Sequence, residues 1–68
     1  MKIEEAIVYT MVRHNGEMTT DQIADSINRE GLHIRKDGKP VTSSQVYAII
    51  CHHPDTFTKE AGRIMLMI

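Results

Sequence analysis

The sequence has a single cysteine, Cys51, so no disulfide bond within the chain can stabilise it. It also has no apolar run near the roughly 18 residues that a membrane-spanning helix needs. Its start carries Glu4 and Glu5 where a secretory signal peptide would have a basic segment followed by an apolar one. These absences predict a cytoplasmic protein.

The residues needed for catalysis or metal binding are also scarce. There is no glycine-rich loop for phosphate, and a nucleophilic pair of Cys51 with a histidine would lack a group to orient the base and an oxyanion site. Cys51, His52 and His53 are consecutive, and neighbouring side chains on a helix point about 100° apart, which is unsuitable for one tetrahedral zinc site. We therefore expect no metal, no cofactor and no enzymatic activity.

The charge is divided unevenly along the 68 residues, which are enough for one domain, 1–68. Residues 1–30 hold three cations and six anions, whereas residues 31–68 hold five cations and three anions. The net charge is therefore −3 in the first part and +2 in the second. This asymmetry favours a basic binding surface after residue 30, although chance could also produce it with so few charges.

Apolar residues at helical spacing predict three helices, over residues 3–14, 20–30 and 43–53. Thr19 and Gln22 have the spacing of a capping box at the start of the second helix, and Thr42 and Gln45 repeat it before the third. Gly31 is placed to end the second helix, with Leu32 folding back onto the core.

Two further segments have turn signals. Between the second and third helices, Asp37-Gly38 predicts a turn in a short hairpin or an ordered loop, with Ile34 and Val41 as inward anchors. At the end of the chain, residues 57–59 and 63–67 predict two strands joined by a turn at 60–62.

The last strand is apolar on both faces. Ile64, Leu66 and Ile68 alternate with Met65 and Met67, so one face can pack on the helices while the other needs a cover. The N-terminal helix, a further domain or a partner chain could provide that cover. The corresponding partner prediction is a homodimer or a partner domain that docks through Met65, Met67, Val8 and Val12.

This order of elements is similar to a winged helix, an α+β fold, mainly α, with three helices and a C-terminal β-hairpin wing. The stretch GLHIRKDGKPVTSSQVYAII, followed by HPDTFTKEAGRIML, resembles the HARE type of helix-turn-helix domain, which is attached to restriction endonucleases and chromatin proteins. The likeness covers residues 5–67. It implies binding of duplex DNA, with the chain acting as a transcription regulator or as the DNA-reading accessory of a restriction or phage-type protein.

In that arrangement, the third helix would lie in the major groove and nearby cations would contact phosphates. The predicted DNA-binding residues are Arg35, Lys36, Lys39, Ser43, Ser44, Gln45, Tyr47, Lys59 and Arg63. The third helix departs from the resemblance because the chain has no cation between Lys39 and Lys59.

Each of these assignments has a structural alternative. Ser43, Ser44 and Gln45 also suit the capping of a helix, and the basic loop also suits a solvated turn. The sequence thus leaves two functions open: DNA binding, or protein docking without DNA.

Overall fold

The computed structural model describes residues 1–67, which form three α-helices and three β-strands. The helices are α1 (Ile3–Arg13), α2 (Thr20–Glu30) and α3 (Ser43–Cys51). The strands are β1 (Glu17–Met18), β2 (Phe57–Glu60) and β3 (Arg63–Leu66). The predicted α+β class, mainly helical, is confirmed.

The strands form one antiparallel sheet in the order β1-β3-β2. Strand β1 lies in the chain between α1 and α2, and the hairpin of β2 and β3 follows α3. This order of helices and strands agrees with that of a winged helix, with the hairpin as the wing.

The core lies between the three helices and one face of the sheet. Its buried apolar side chains come from every element, so no helix or strand buries its apolar face alone. They are Ala6, Ile7, Met11, Met18, Ile23, Ala24, Ile27, Val41, Val46, Ile50, Phe57 and Ile64.

Helix α2 begins and ends as its sequence predicts. The Thr19 hydroxyl accepts a hydrogen bond from the Gln22 amide at 3.2 Å, and the Gln22 side chain accepts one from the Thr19 amide at 3.0 Å. Gly31 ends the helix with a φ of 64°, and the next amide, Leu32, donates to the carbonyl of Ile27 at 3.1 Å. Leu32 is half-buried against the core, which confirms its predicted role.

A side-chain network joins the end of α1 to the end of α2. The Arg13 guanidinium donates to the Glu30 carboxylate, and the Ser26 hydroxyl donates to the same carboxylate at 3.1 Å. The Arg13 hydrogen bond, helped by that of Ser26, lowers the pKa of Glu30 because it stabilises the ionised carboxylate.

Most predicted boundaries differ from the observed ones by one or two residues, but β1 was missed entirely. A strand of two residues, Glu17 and Met18, is too short to show alternation in a sequence. It exists because β3 offers it an edge, with Met18 opposite Ile64 in the ladder.

The segment between α2 and α3 is a loop with one turn, not a hairpin. The Gly38 amide donates to the carbonyl of Arg35 at 3.0 Å, which closes a turn over residues 35–38. Val41 is buried as predicted, but the prediction for Ile34 was wrong, because this side chain is 74% exposed. The capping box predicted before α3 is only half formed: Thr42 accepts from the Gln45 amide, without the reciprocal bond.

The two faces of β3 have different environments. Ile64 is buried and Leu66 half-buried on the helix side, whereas Met65 is exposed on the outer face. The N-terminal helix contacts the inner side and does not cover Met65 or Met67, so that option for a cover is wrong. Ile68, predicted to continue the inner face, lies outside the described residues.

The wing turn contains an alanine in an unfavourable backbone conformation. Ala61 has a φ of 52° and Gly62 a φ of 79°, as in a type I′ hairpin turn, where Asn-Gly is the preferred pair. We predict that Ala61→Asn raises the free energy of unfolding by about 0.5–1 kcal/mol, since asparagine tolerates positive φ better than alanine. Urea unfolding measures this. Ala61→Val, the matched control, should destabilise the domain, and a loss of stability in Ala61→Asn would contradict the assigned turn.

Candidate nucleic-acid interface

One stripe of α3 faces solvent. Ser44, Tyr47, Ala48 and Cys51 are all exposed and follow each other at short helical intervals, which places them on one side of a helix. The opposite side buries Val46 and Ile50 in the core. The exposed stripe has hydroxyl, phenol, methyl and thiol groups but no charge of its own.

Lys59 supplies a positive charge to this stripe from the sheet. Its ammonium donates to the Tyr47 hydroxyl at 2.8 Å, lies 4.5 Å from the centroid of the Tyr47 ring and is 3.6 Å from Cys51 Sγ. It reaches α3 because Lys59 lies opposite Ile64 in the ladder, and so on the face of the sheet that packs on the helices. Lys59 therefore places a positive charge beside α3, which has no charged residue of its own.

The contact with Tyr47 also raises the pKa of Lys59. The phenolic oxygen accepts a hydrogen bond from the charged ammonium and stabilises it. Partial desolvation opposes this effect, and the Cys51 thiol adds a smaller contribution in the same direction as Tyr47. Lys59 therefore stays protonated throughout the physiological range.

Arg63, the other predicted cation of the wing, lies elsewhere. It follows the turn on the outer face of the sheet, where its guanidinium is 3.5 Å from a carboxylate oxygen of Glu17. Glu17 stands opposite Met65, the outward residue of β3. The structure therefore separates Arg63 from α3 and partly neutralises it.

The basic turn before α3 combines one anchored cation with two exposed ones. Arg35 is half-buried and donates to Asp37 at 2.9 Å and to the carbonyl of Pro40 at 3.3 Å. Asp37 also accepts from the Lys39 amide at 3.0 Å, so it orders the turn. Lys36 and Lys39 are exposed.

This turn adjoins the first turn of α3. Gln45 and residues 33–37 line one shallow crevice, which brings the turn beside the start of the helix. Ser44 is exposed there, whereas Ser43 and Gln45 are less open to solvent. The carboxamide oxygen of Gln45 is enclosed and has no hydrogen-bond partner among residues 1–67. Among Ser43, Ser44 and Gln45, the predicted DNA-binding residues in the first turn of α3, Ser44 is therefore the most accessible to a ligand.

Asn28, which the sequence did not single out, fixes the loop to α2. Its side-chain amide donates to the carbonyl of Val41 at 2.8 Å, and its side-chain oxygen accepts from the Val41 amide at 2.8 Å. Val41 immediately precedes Thr42, the cap of α3. Both ends of the basic loop are thus held, by Leu32 and by Val41. No sequence pattern marks Asn28, because its partner is a backbone 13 residues away.

The described part of the chain shows two further features that bear on function. Residues 1–67 hold no group of three His, Cys, Asp or Glu side chains placed to bind a metal ion. Within the same residues, no helix has the length and apolar character to cross a membrane.

No protein family model, no curated protein and no solved structure matches this chain. The resemblance to the HARE type of domain consequently remains a prediction from the sequence.

Removal of the Asn28 side chain tests its role in the loop. We predict that Asn28→Ala lowers the free energy of unfolding by about 1–2 kcal/mol, because two buried backbone groups of Val41 lose their partners. Hydrogen exchange at the Val41 amide should accelerate. Arg29→Ala is the matched control, since its pair with Asp25, at 3.4 Å, is between exposed side chains and should contribute little. Equal stabilities of the two variants would contradict the role of Asn28.

The contact between Lys59 and Tyr47 has its own test. Tyr47→Phe removes the oxygen that accepts the hydrogen bond, so the pKa of Lys59 should fall. Nuclear magnetic resonance (NMR) titration of the Lys59 side chain with pH measures this change. Cys51→Ser should have the smaller effect, and an unchanged pKa in Tyr47→Phe would show that the contact does not persist in solution.

Proposed function

We propose that this chain is a DNA-binding winged-helix domain that acts as a binding module and not as an enzyme. The observation that carries the proposal is the presence of cations at both ends of an exposed, uncharged helix face. The turn at 35–39 adjoins the start of α3, and Lys59 lies over its second half. Double-stranded DNA offers the matching chemistry, a groove for the helix between two phosphate backbones.

In this proposal, phosphate contacts provide most of the affinity. Lys36 and Lys39 are exposed, Lys59 lies against Tyr47, and Arg35 contributes charge from its anchored position. The start of α3 adds the positive end of a helix dipole, which favours phosphate. Arg63 is left out of the proposed contacts because it faces Glu17 on the other side of the sheet.

The exposed stripe of α3 would approach the base edges. Ser44 can donate or accept a hydrogen bond, and Ala48 and Cys51 can contact the methyl group of thymine. Tyr47 holds Lys59 and adds a flat apolar surface. Because few of these groups discriminate between bases strongly, we expect DNA binding with modest sequence preference.

The sequence resemblance to the HARE type extends the proposal. It favours a transcription regulator, or a module that reads DNA for a restriction or phage-type protein. In either case, a second DNA-binding module linked to this domain would raise the affinity, because the first contact increases the effective concentration of the second module at the DNA.

Two single-cation variants distinguish the proposed surface from a general effect of charge. Lys59→Ala should weaken binding to a mixed-sequence duplex by roughly five- to tenfold at low salt, whereas Arg63→Ala, which removes the same charge, should change it less than about twofold. Fluorescence anisotropy with a labelled duplex measures both.

The dependence on salt gives the number of phosphates contacted. Four cations predict a slope of about −3 to −4 for the logarithm of the association constant against that of the salt concentration. Binding that is insensitive to salt, or equally weakened in both variants, would contradict the proposed surface.

Protein docking without DNA is the second candidate. The exposure of Met65 and Met67 favours it, because exposed apolar side chains are typical of protein contacts, and Met65 lies on the outer face of the sheet, opposite Glu17 and away from α3. Failure of the duplex titration at low salt would favour this candidate.

A further inference from the structure

Ile34 is the most exposed large apolar side chain among residues 1–67, although the loop around it is ordered. Both of its neighbours are held in place. The His33 ring nitrogen Nδ1 donates to the carbonyl of Met1 at 2.9 Å, and the Arg35 guanidinium donates to Asp37 at 2.9 Å. Ile34 is therefore presented to solvent from a fixed backbone, and its exposure is not the result of a loose loop.

A single exposed apolar side chain needs no function by itself, so the surroundings of Ile34 carry the inference. It lines an open crevice of about 460 Å³ beside the first turn of α3. The other residues that line this crevice are His33, Arg35, Lys36, Asp37 and Gln45. The Asp37 carboxylate already accepts from Arg35 and from the Lys39 amide, whereas Lys36 is exposed. The crevice thus combines an apolar surface with positive charge.

One strand of DNA offers the complementary combination along its backbone. Each strand alternates deoxyribose, whose surface consists largely of C–H groups, with an anionic phosphate, and proteins contact both to fix their position on the duplex. Ile34 and Lys36 are separated by one residue and line the same crevice, so an apolar group and a cation are available side by side.

The proposed DNA surface places this crevice at the wall of the groove. Gln45, which lines the crevice, belongs to the first turn of α3 and follows the exposed Ser44. When a helix enters the major groove by its start, the loop that precedes it lies beside the backbone of one strand and not over the base edges. Ile34 is part of that loop.

We propose that the crevice at Ile34 is a subsite for the sugar-phosphate backbone of one DNA strand. Ile34 packs on a deoxyribose, and Lys36 contacts an adjoining phosphate. This inference rests on the proposed function and adds to it a contact that carries no charge. It also gives a role to a residue that the sequence analysis had assigned to the core.

Such a contact differs from that of a cation in its dependence on salt. The slope of binding against salt reports the number of phosphates neutralised, because each of them releases counterions. Loss of an apolar contact therefore lowers the affinity by the same factor at every salt concentration and leaves the slope unchanged. Because all nucleotides of DNA share the same sugar, the loss is also independent of base sequence.

Fluorescence anisotropy at several salt concentrations tests the subsite with two duplexes, one rich in A·T pairs and one rich in G·C pairs. Ile34→Ser should weaken binding to both duplexes by roughly three- to fivefold, with an unchanged slope. Lys36→Gln should instead reduce the slope by about 0.9, the contribution of one phosphate. Met65→Ser, the same kind of change on the outer face of the sheet, should alter the affinity less than about twofold. Circular dichroism confirms that the variants are folded, and Ile34→Thr replaces Ile34→Ser if it is not.

The outcomes separate this inference from the proposed function. An unmodified chain that binds neither duplex at low salt contradicts the proposed function, and the subsite with it. A chain that binds while Ile34→Ser equals the unmodified chain or Met65→Ser overturns the subsite alone. So does a loss confined to one duplex, which would assign Ile34 to a base, or a changed slope in Ile34→Ser, which would assign the effect to displaced cations of the loop.

Discussion

The pair of hydrogen bonds between the Asn28 side chain and the backbone of Val41 determines where the candidate interface can form. One side chain of α2 satisfies both polar groups of a buried residue, just before the cap of α3. Without this anchor, the end of the loop would lose its only side-chain hydrogen bonds to α2 within residues 1–67 and would be held by the buried Val41 side chain, while Leu32 docks on the core at its beginning. The position of the basic turn and the start of α3 both depend on these two bonds.

The second constraint is the ladder register of the wing. Lys59 faces α3 because it shares a sheet face with Phe57 and Ile64, whereas Arg63, across the turn, falls on the other face beside Glu17. A shift of β2 by one residue would move Lys59 to the outer face and leave α3 without this cation. The wing therefore contributes one side chain, Lys59, to the proposed interface, and its contact with Tyr47 fixes the position of that side chain.

The sequence predicted the helices and the hairpin, because caps such as Thr19, stops such as Gly31 and regular apolar spacing are local signals. It could not predict β1, which is too short for a pattern, or the exposure of Ile34, which depends on how the loop crosses the surface. The candidate cations were also found by residue type. Their different roles could not be predicted, because they depend on contacts in the tertiary structure. Lys59 contacts Tyr47, whereas Arg63 lies beside Glu17. Arg35 is anchored by Asp37, whereas Lys36 is exposed.

Helix α3, the turn before it and Lys59 are proposed to form one surface for duplex DNA. The most direct measurement is the change in backbone amide NMR signals when a mixed-sequence duplex is added at low salt. Changes concentrated at Gly38, Ser44, Cys51 and Lys59, and reversed by added salt, are the predicted result. Changes concentrated at Val8, Val12 and Met65 instead, or no change at all, would contradict it.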